Sequence, residues 1–119
     1  MALALINVIQ KGFVIGTTIV LQSEIGVAGK GTQLLVSVAK ELDVDEVLLP
    51  YFSEKAIDCE RFKKEKIKVR FLRYAPPQYP QFWGSFMKNL SALDLWLCCG
   101  QEGKKIIEKG TYLYDQIAI

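Results

Sequence analysis

Three short runs rich in branched and aromatic residues, at 17–21, 46–49 and 67–71, recur along the chain with helix-period segments between them. This alternation limits the fold more than any other feature. Thr-Thr-Ile-Val-Leu at 17–21 is continuous in apolarity, as expected of a central parallel strand covered on both sides. Leu34, Leu35, Val38 and Leu42 fall at helical spacing behind a capping Thr32. Glu-Val-Leu-Leu at 46–49 predicts a second strand, ended by Pro50. Ser53 is the expected cap of another helix, with Ala56, Cys59 and Phe62 inward and Lys63, Lys64 and Lys66 near its solvated end. Residues 67–71 alternate with period two, which predicts an edge strand with one wet face. Strand, helix, strand, helix, strand at this spacing predicts an α/β fold: a small, mostly parallel sheet of about three or four strands with helices on both faces.

The flanks follow the same logic. Leu3, Leu5, Ile6 and Ile9 share a helical face, so residues 2–10 predict a helix stopped near Gly12. Pro76, Pro77 and Pro80 forbid regular structure over 75–81. Ser91 to Asp94 has the order of a capping box, and Leu90, Leu93 and Leu97 form a stripe before Gly100. A last helix over 101–109 ends at Gly110, followed by a tail from Tyr112. With 119 residues, no internal repeat and no convincing linker, residues 1–119 are expected to form one domain.

Composition removes several chemistries. The chain has no histidine, so His-based nucleophile systems and His metal sites are out, and three cysteines fall short of a four-thiolate zinc site. No metal or cofactor is expected. Fifteen basic against thirteen acidic residues leave a net charge of +2, which does not suit a nucleic-acid partner. An odd cysteine count, with Cys98 and Cys99 adjacent, points to a reducing compartment and hence the cytoplasm. No apolar run reaches the ~20 residues that span a bilayer, so no membrane partner is expected.

The most conspicuous local pattern is Gly26-Val-Ala-Gly29-Lys30-Gly31-Thr32, predicted to lie between a strand and a helix, where backbone amides and a lysine can cradle phosphate. It departs from the nucleotide-binding phosphate loop. Glu24 stands where the first glycine belongs, Lys30 is followed by Gly31 rather than a hydroxyl residue, and no strand offers a terminal aspartate for magnesium. An anion site built by Gly29, Lys30, Gly31 and Thr32, with Ser23 and Glu24 close in sequence, stands beside the plainer reading of a tight turn with a solvated lysine. On the proline-rich loop, Tyr79 and Gln81 can offer fixed hydrogen bonds, and Phe82 and Trp83 either stacking faces or core packing. Asp94 is a candidate acid or base, with a structural role near backbone amides as the favoured alternative.

Several stretches in order over nearly the whole chain resemble one family, the WbqC-like proteins found with polysaccharide and O-antigen biosynthesis genes. They are Leu5-Ile6, Gly16-Thr-Thr-Ile-Val20, Ser23-Glu-Ile-Gly26, Gly29-Lys-Gly-Thr32, Ile67-Lys-Val69, Tyr79-Pro-Gln81, Asn89-Leu-Ser91, Leu93-Asp-Leu95 and Cys99-Gly100. The resemblance is to the C-terminal half of such proteins. Their N-terminal half has no counterpart here, Gln22-Ser23 replaces a Ser-Ser pair, and Pro50 to Ser53 replaces a glycine-rich turn. What it implies is a half-site for a sugar nucleotide or glycan precursor, with glycine or small-acyl transfer to an amino sugar as the family's suggested activity, and no turnover by this chain alone. A sheet lacking its first strands would bare an edge, so a homo-oligomer is expected. The alternatives are a non-catalytic α/β interaction or assembly protein and a degenerate phosphate-loop nucleotide binder.

Overall fold

The structure is a computed structural model that describes residues 1–115. The chain order is α1 (Ala2–Gly12), α2 (Gln22–Ile25), α3 (Gly31–Glu41), β1 (Glu46–Pro50), a 3-10 turn (Tyr51–Ser53), α4 (Cys59–Lys64), β2 (Lys68–Tyr74), α5 (Ala92–Cys99), α6 (Glu102–Lys109) and β3 (Thr111–Asp115). These elements form two compact units: residues 1–18 with 74–111, and residues 19–73 with the segment from Tyr112.

In the second of these units the sheet order is β1-β2-β3. β1 and β2 are parallel, with Val47 opposite Val69 and Leu49 opposite Phe71. Along β3 the contacts run in the opposite sense. The Ala75 amide donates to the Gly110 carbonyl, Phe71 faces Tyr114, and Arg70 faces Asp115, so β3 is antiparallel to β2. The fold is a small α/β fold, and its three-stranded sheet is mixed.

Alternation along β1 and β2 directs Val47, Leu49, Val69 and Phe71 to one side, against Leu35, Val36 and Ala39 of α3 and Cys59 and Phe62 of α4. Phe62 and Phe71 are fully buried there. The opposite side of the strands carries Leu48, half exposed, and a row of ion pairs in which Arg70 lies 3.5 Å from Glu46 and 3.6 Å from Asp115. Exposed pairs of this kind add little stability, so the apolar side does most of the work. The buried positions of α3 are Val36 and Ala39; of the expected stripe Leu34, Leu35 and Val38 are half-buried, and Leu42 is exposed.

Four expectations are corrected. Residues 17–21 form no strand, and Ile19 and Val20 are exposed; the central place expected for this run is held by β2, which β1 and β3 flank. β2 is therefore the central strand and not an edge; its wet face holds Lys68 and Arg70 because only one side of the sheet is covered within this unit. The cap of α4 is Asp58, whose carboxylate accepts from the Glu60 amide, while the Ser53 hydroxyl donates to the Pro50 carbonyl within the 3-10 turn. Ala56 lies outside the helix and is exposed. In the tail, residues through Asp115 form β3, and the remainder lies outside the described residues.

The other unit is built around Phe13, Leu95 and Gly103. Phe13 is 2 % exposed just beyond the end of α1, and α6 reaches it because residue 103 has no side chain: a Cβ there would sit 2.6 Å from the Phe13 ring. Gly12 abuts the Trp96 indole in the same way. Leu95 is the buried leucine of α5, whereas Leu90 and Leu97 are exposed, so the inward stripe differs from the Leu90, Leu93, Leu97 expectation.

Three helices end in the same manner without glycine. After α1, α3 and α4 the chain turns through a left-handed residue, Val14 (φ 54°), Asp43 (φ 51°) and Lys66 (φ 60°). In each case the amide of the next residue, Ile15, Val44 or Ile67, reaches back to the carbonyl of Gln10, Ala39 or Phe62. This is the hydrogen-bond arrangement of the Schellman motif, which glycine favours because it has no Cβ to clash. Val14 is β-branched and largely exposed, so its side chain gives little packing in return. Val14→Gly is expected to stabilise the protein by about 1 kcal/mol, and Phe71→Ala to destabilise it by about 3–5 kcal/mol, both read from urea midpoints.

Candidate functional site

The glycine-lysine segment lies wholly in the sheet-containing unit. It follows the four-residue helix α2 rather than a strand, and α2 stops where Gly26 adopts φ 75°. That removes the strand on which the phosphate-loop comparison rested. Lys30 is the N-cap of α3 with extended backbone, φ −142° and ψ 155°, and no side chain caps the helix. Among the described residues the first amides of α3 are thus unclaimed by any side chain, and Lys30 at the N-cap is exposed. An open helix start of this kind carries partial positive charge.

Thr32 does not cap α3. Its hydroxyl oxygen accepts the Asp58 amide at 3.1 Å, which ties the first turn of α3 to the start of α4. Arg61 adds to the tie, donating to the Gln33 side-chain carbonyl at 3.3 Å and to the Asp58 carboxylate at 3.2 Å. Sequence reasoning missed Asp58 and Arg61. The available signal was Asp58 two residues before Glu60, an aspartate cap followed by an acidic first turn. Ser23 and Glu24 sit on α2 and are exposed, and among the described residues Glu24 forms no ion pair.

Tyr79, Gln81 and Asp94 belong to the other compact unit. The Tyr79 hydroxyl donates to Asp94 Oδ2 at 2.7 Å, and its ring meets Phe86 edge-on at 5.5 Å. Burial raises the Tyr79 phenol above its ordinary range, and the bond to the Asp94 carboxylate raises it further. Asp94 therefore has a structural partner, though a different one from the backbone amides anticipated for it. Ser91 alone caps α5, accepting the Leu93 amide at 3.0 Å.

Gln81 is used twice. Its Nε2 donates to the Met87 carbonyl and its Oε1 accepts the Met87 amide, each at 2.9 Å. This reciprocal pair closes the base of the loop 81–87 in the way that two strand residues pair. Phe82 and Trp83 emerge from the loop and are exposed, contrary to the core-packing alternative, because the loop is too short to fold them back beneath itself. The Cys99 thiol is half-buried and lifted, chiefly by desolvation, then by Cys98 and Asp94, which suits a packing residue rather than a nucleophile. Among the described residues no cluster of His, Cys, Asp or Glu could hold a metal ion.

Gln81→Ala should open the loop without unfolding the unit. The expected result is faster hydrogen exchange at the Met87 amide by about fivefold or more, with α5 and α6 amides unchanged, since one net hydrogen bond is worth roughly 1 kcal/mol.

No curated protein and no solved structure matches the chain. The model of the WbqC-like protein family matches residues 1–106, a span that contains the glycine-lysine loop, the proline loop and the capped start of α5, and the chain belongs to that family.

Proposed function

We propose that the protein binds a phosphate-bearing sugar nucleotide or glycan precursor in polysaccharide modification, holding its phosphate at the start of α3. The observation that carries this reading is the uncapped first turn of α3, with Lys30 exposed at its N-cap. Backbone amides and the positive helix end attract an anion, and a lysine supplies a mobile point charge. Arg61 reaches the same turn through Gln33, but its charge is paired with the Asp58 carboxylate at 3.2 Å, so Lys30 is the cation on which the reading relies. Glu24, exposed on α2, is the group available to an amine or hydroxyl of the ligand.

Binding without turnover is the form of the activity favoured here. The charged side chains named for this site, Lys30, Asp58, Arg61 and Glu24, are all exposed, and none of them is a buried base. The Tyr79 and Asp94 pair is committed to each other in the other unit. A second reading, a non-catalytic assembly protein, draws on the same absence of a poised base.

A thermal-shift panel of nucleoside-diphosphate sugars, inorganic phosphate and glycine tests the proposal. A nucleotide sugar at about 100 times its Kd should add roughly 2.7 kcal/mol of stability, with magnesium making no difference. Lys30→Ala should remove most of that shift. A panel that produces no shift would support the assembly reading instead.

A further inference from the structure

The loop 81–87 presents Phe82 and Trp83 outward, 69 % and 88 % exposed, with Met87 at 62 %. It is a held conformation. Gln81 and Met87 close its base with two hydrogen bonds, Gly84 turns its tip at φ 66°, and Tyr79 buttresses Phe86 while bonded to Asp94. Holding apolar side chains in water on a fixed frame lowers the ordering cost of burying them elsewhere.

Charge limits what can bury them. Across residues 74–93 the sole charged side chain is Lys88, next to Met87, and the carboxylate that follows in sequence, Asp94, is engaged by the Tyr79 hydroxyl. α1, in the same compact unit, has the same character: Leu5, Ile6 and Val8 are exposed, and its one charge is Lys11. Pairing the loop with itself in a second copy would set Lys88 against Lys88 with no anion between them. A convex aromatic tip flanked by a cation needs no preformed pocket if the acceptor is a fluid anionic surface. Tryptophan and phenylalanine enter the headgroup region, and a lysine stem lies along it with its ammonium among the phosphates.

We infer that the loop 81–87 docks the protein on an anionic lipid surface, with Phe82 and Trp83 entering the interface and Lys88 meeting headgroup phosphates. Such contact needs no spanning helix, and among the described residues no helix is long and apolar enough to cross a membrane. The inference is independent of the phosphate site on α3.

The test is co-sedimentation of the full chain with vesicles of phosphatidylglycerol and phosphatidylcholine at low salt, alongside quenching of tryptophan emission by shallow brominated lipids. The expected result is binding to the anionic vesicles that weakens with added salt and on pure phosphatidylcholine. The double variant F82A/W83A should bind at least about tenfold more weakly. Both side chains are exposed, so its urea midpoint and its nucleotide-sugar thermal shift should be unchanged. Lys88→Glu should weaken binding to the anionic vesicles alone. Three results would overturn the inference: protein left in the supernatant with anionic vesicles at low salt, equal binding by F82A/W83A, or a dimer seen by light scattering that F82A/W83A dissolves.

Discussion

Packing of Phe71 of β2 and Phe62 of α4 into the apolar layer between the sheet and helices α3 and α4 is the interaction on which the sheet-containing unit depends. Phe71 sits midway along β2, and everything around it follows from giving that ring an apolar roof. Val47 and Leu49 of β1 line up beside Val69 and Phe71, which fixes the parallel register, since a one-residue slip would turn Leu49 outward and Leu48 inward. Tyr114 closes the other flank 5.9 Å from Phe71. A roof made of two short helices works only if those helices are held together. The Thr32 to Asp58 hydrogen bond joins them at the end where α3 opens. The candidate phosphate site adjoins this tie: Thr32, which makes it, lies in the first turn of α3, whose N-cap is Lys30.

Much of this was legible in the sequence. The runs at 46–49 and 67–71, the helix stripe after Gly31, the capped start at Ser91 and the end at Gly110 are encoded in local pattern. Periodicity reports which faces are apolar, but it does not say which strand takes the centre. The wet face of β2 looks like an edge in sequence because Lys68 and Arg70 alternate with apolar residues. Only the charges of Glu46 and Asp115, which come from different parts of the chain, show that those cations are flanked on both sides. The run at 17–21 is the converse case. Its composition suits a strand, but pairing is a property of neighbours, and an aromatic segment near the far end of the chain takes the place beside β2.

Helix ends were harder to read for a definite reason. The usual punctuation is glycine in a left-handed conformation, and three helices here use Val14, Asp43 and Lys66 instead. Asp43 is tolerable, because aspartate adopts that region more readily than most residues. Val14 and Lys66 cost more, and at Lys66 the cost is met by what the turn achieves. The turn at Lys66 directs the chain at once into a buried position, whereas Val14 is followed by exposed Ile15 and Asp43 by exposed Val44. Ile67 is buried immediately after Lys66, and β2 begins at the next residue. The stop of α1 near Gly12 was legible in the sequence, but a stop such as that of α4, set by where the chain must go next, leaves no compositional trace.

The candidate site residues divide according to whether their polar atoms are already spent. Tyr79, Gln81, Asp94 and Thr32 were singled out because phenol, amide, carboxylate and hydroxyl can all serve a ligand, yet each is engaged in holding a loop or joining two helices. A group in such a bond loses that bond when it turns to a ligand, and the exchange returns little free energy. Lys30 and the first amides of α3 differ, because water is their present competitor and an anion compensates the helix charge that water only screens. Phe82 and Trp83 differ in the same direction, since their exposed rings cost free energy that any apolar acceptor recovers. Function in this chain is therefore to be sought among the groups that the fold leaves unspent, and the polar residues that drew attention in the sequence are the frame that presents them.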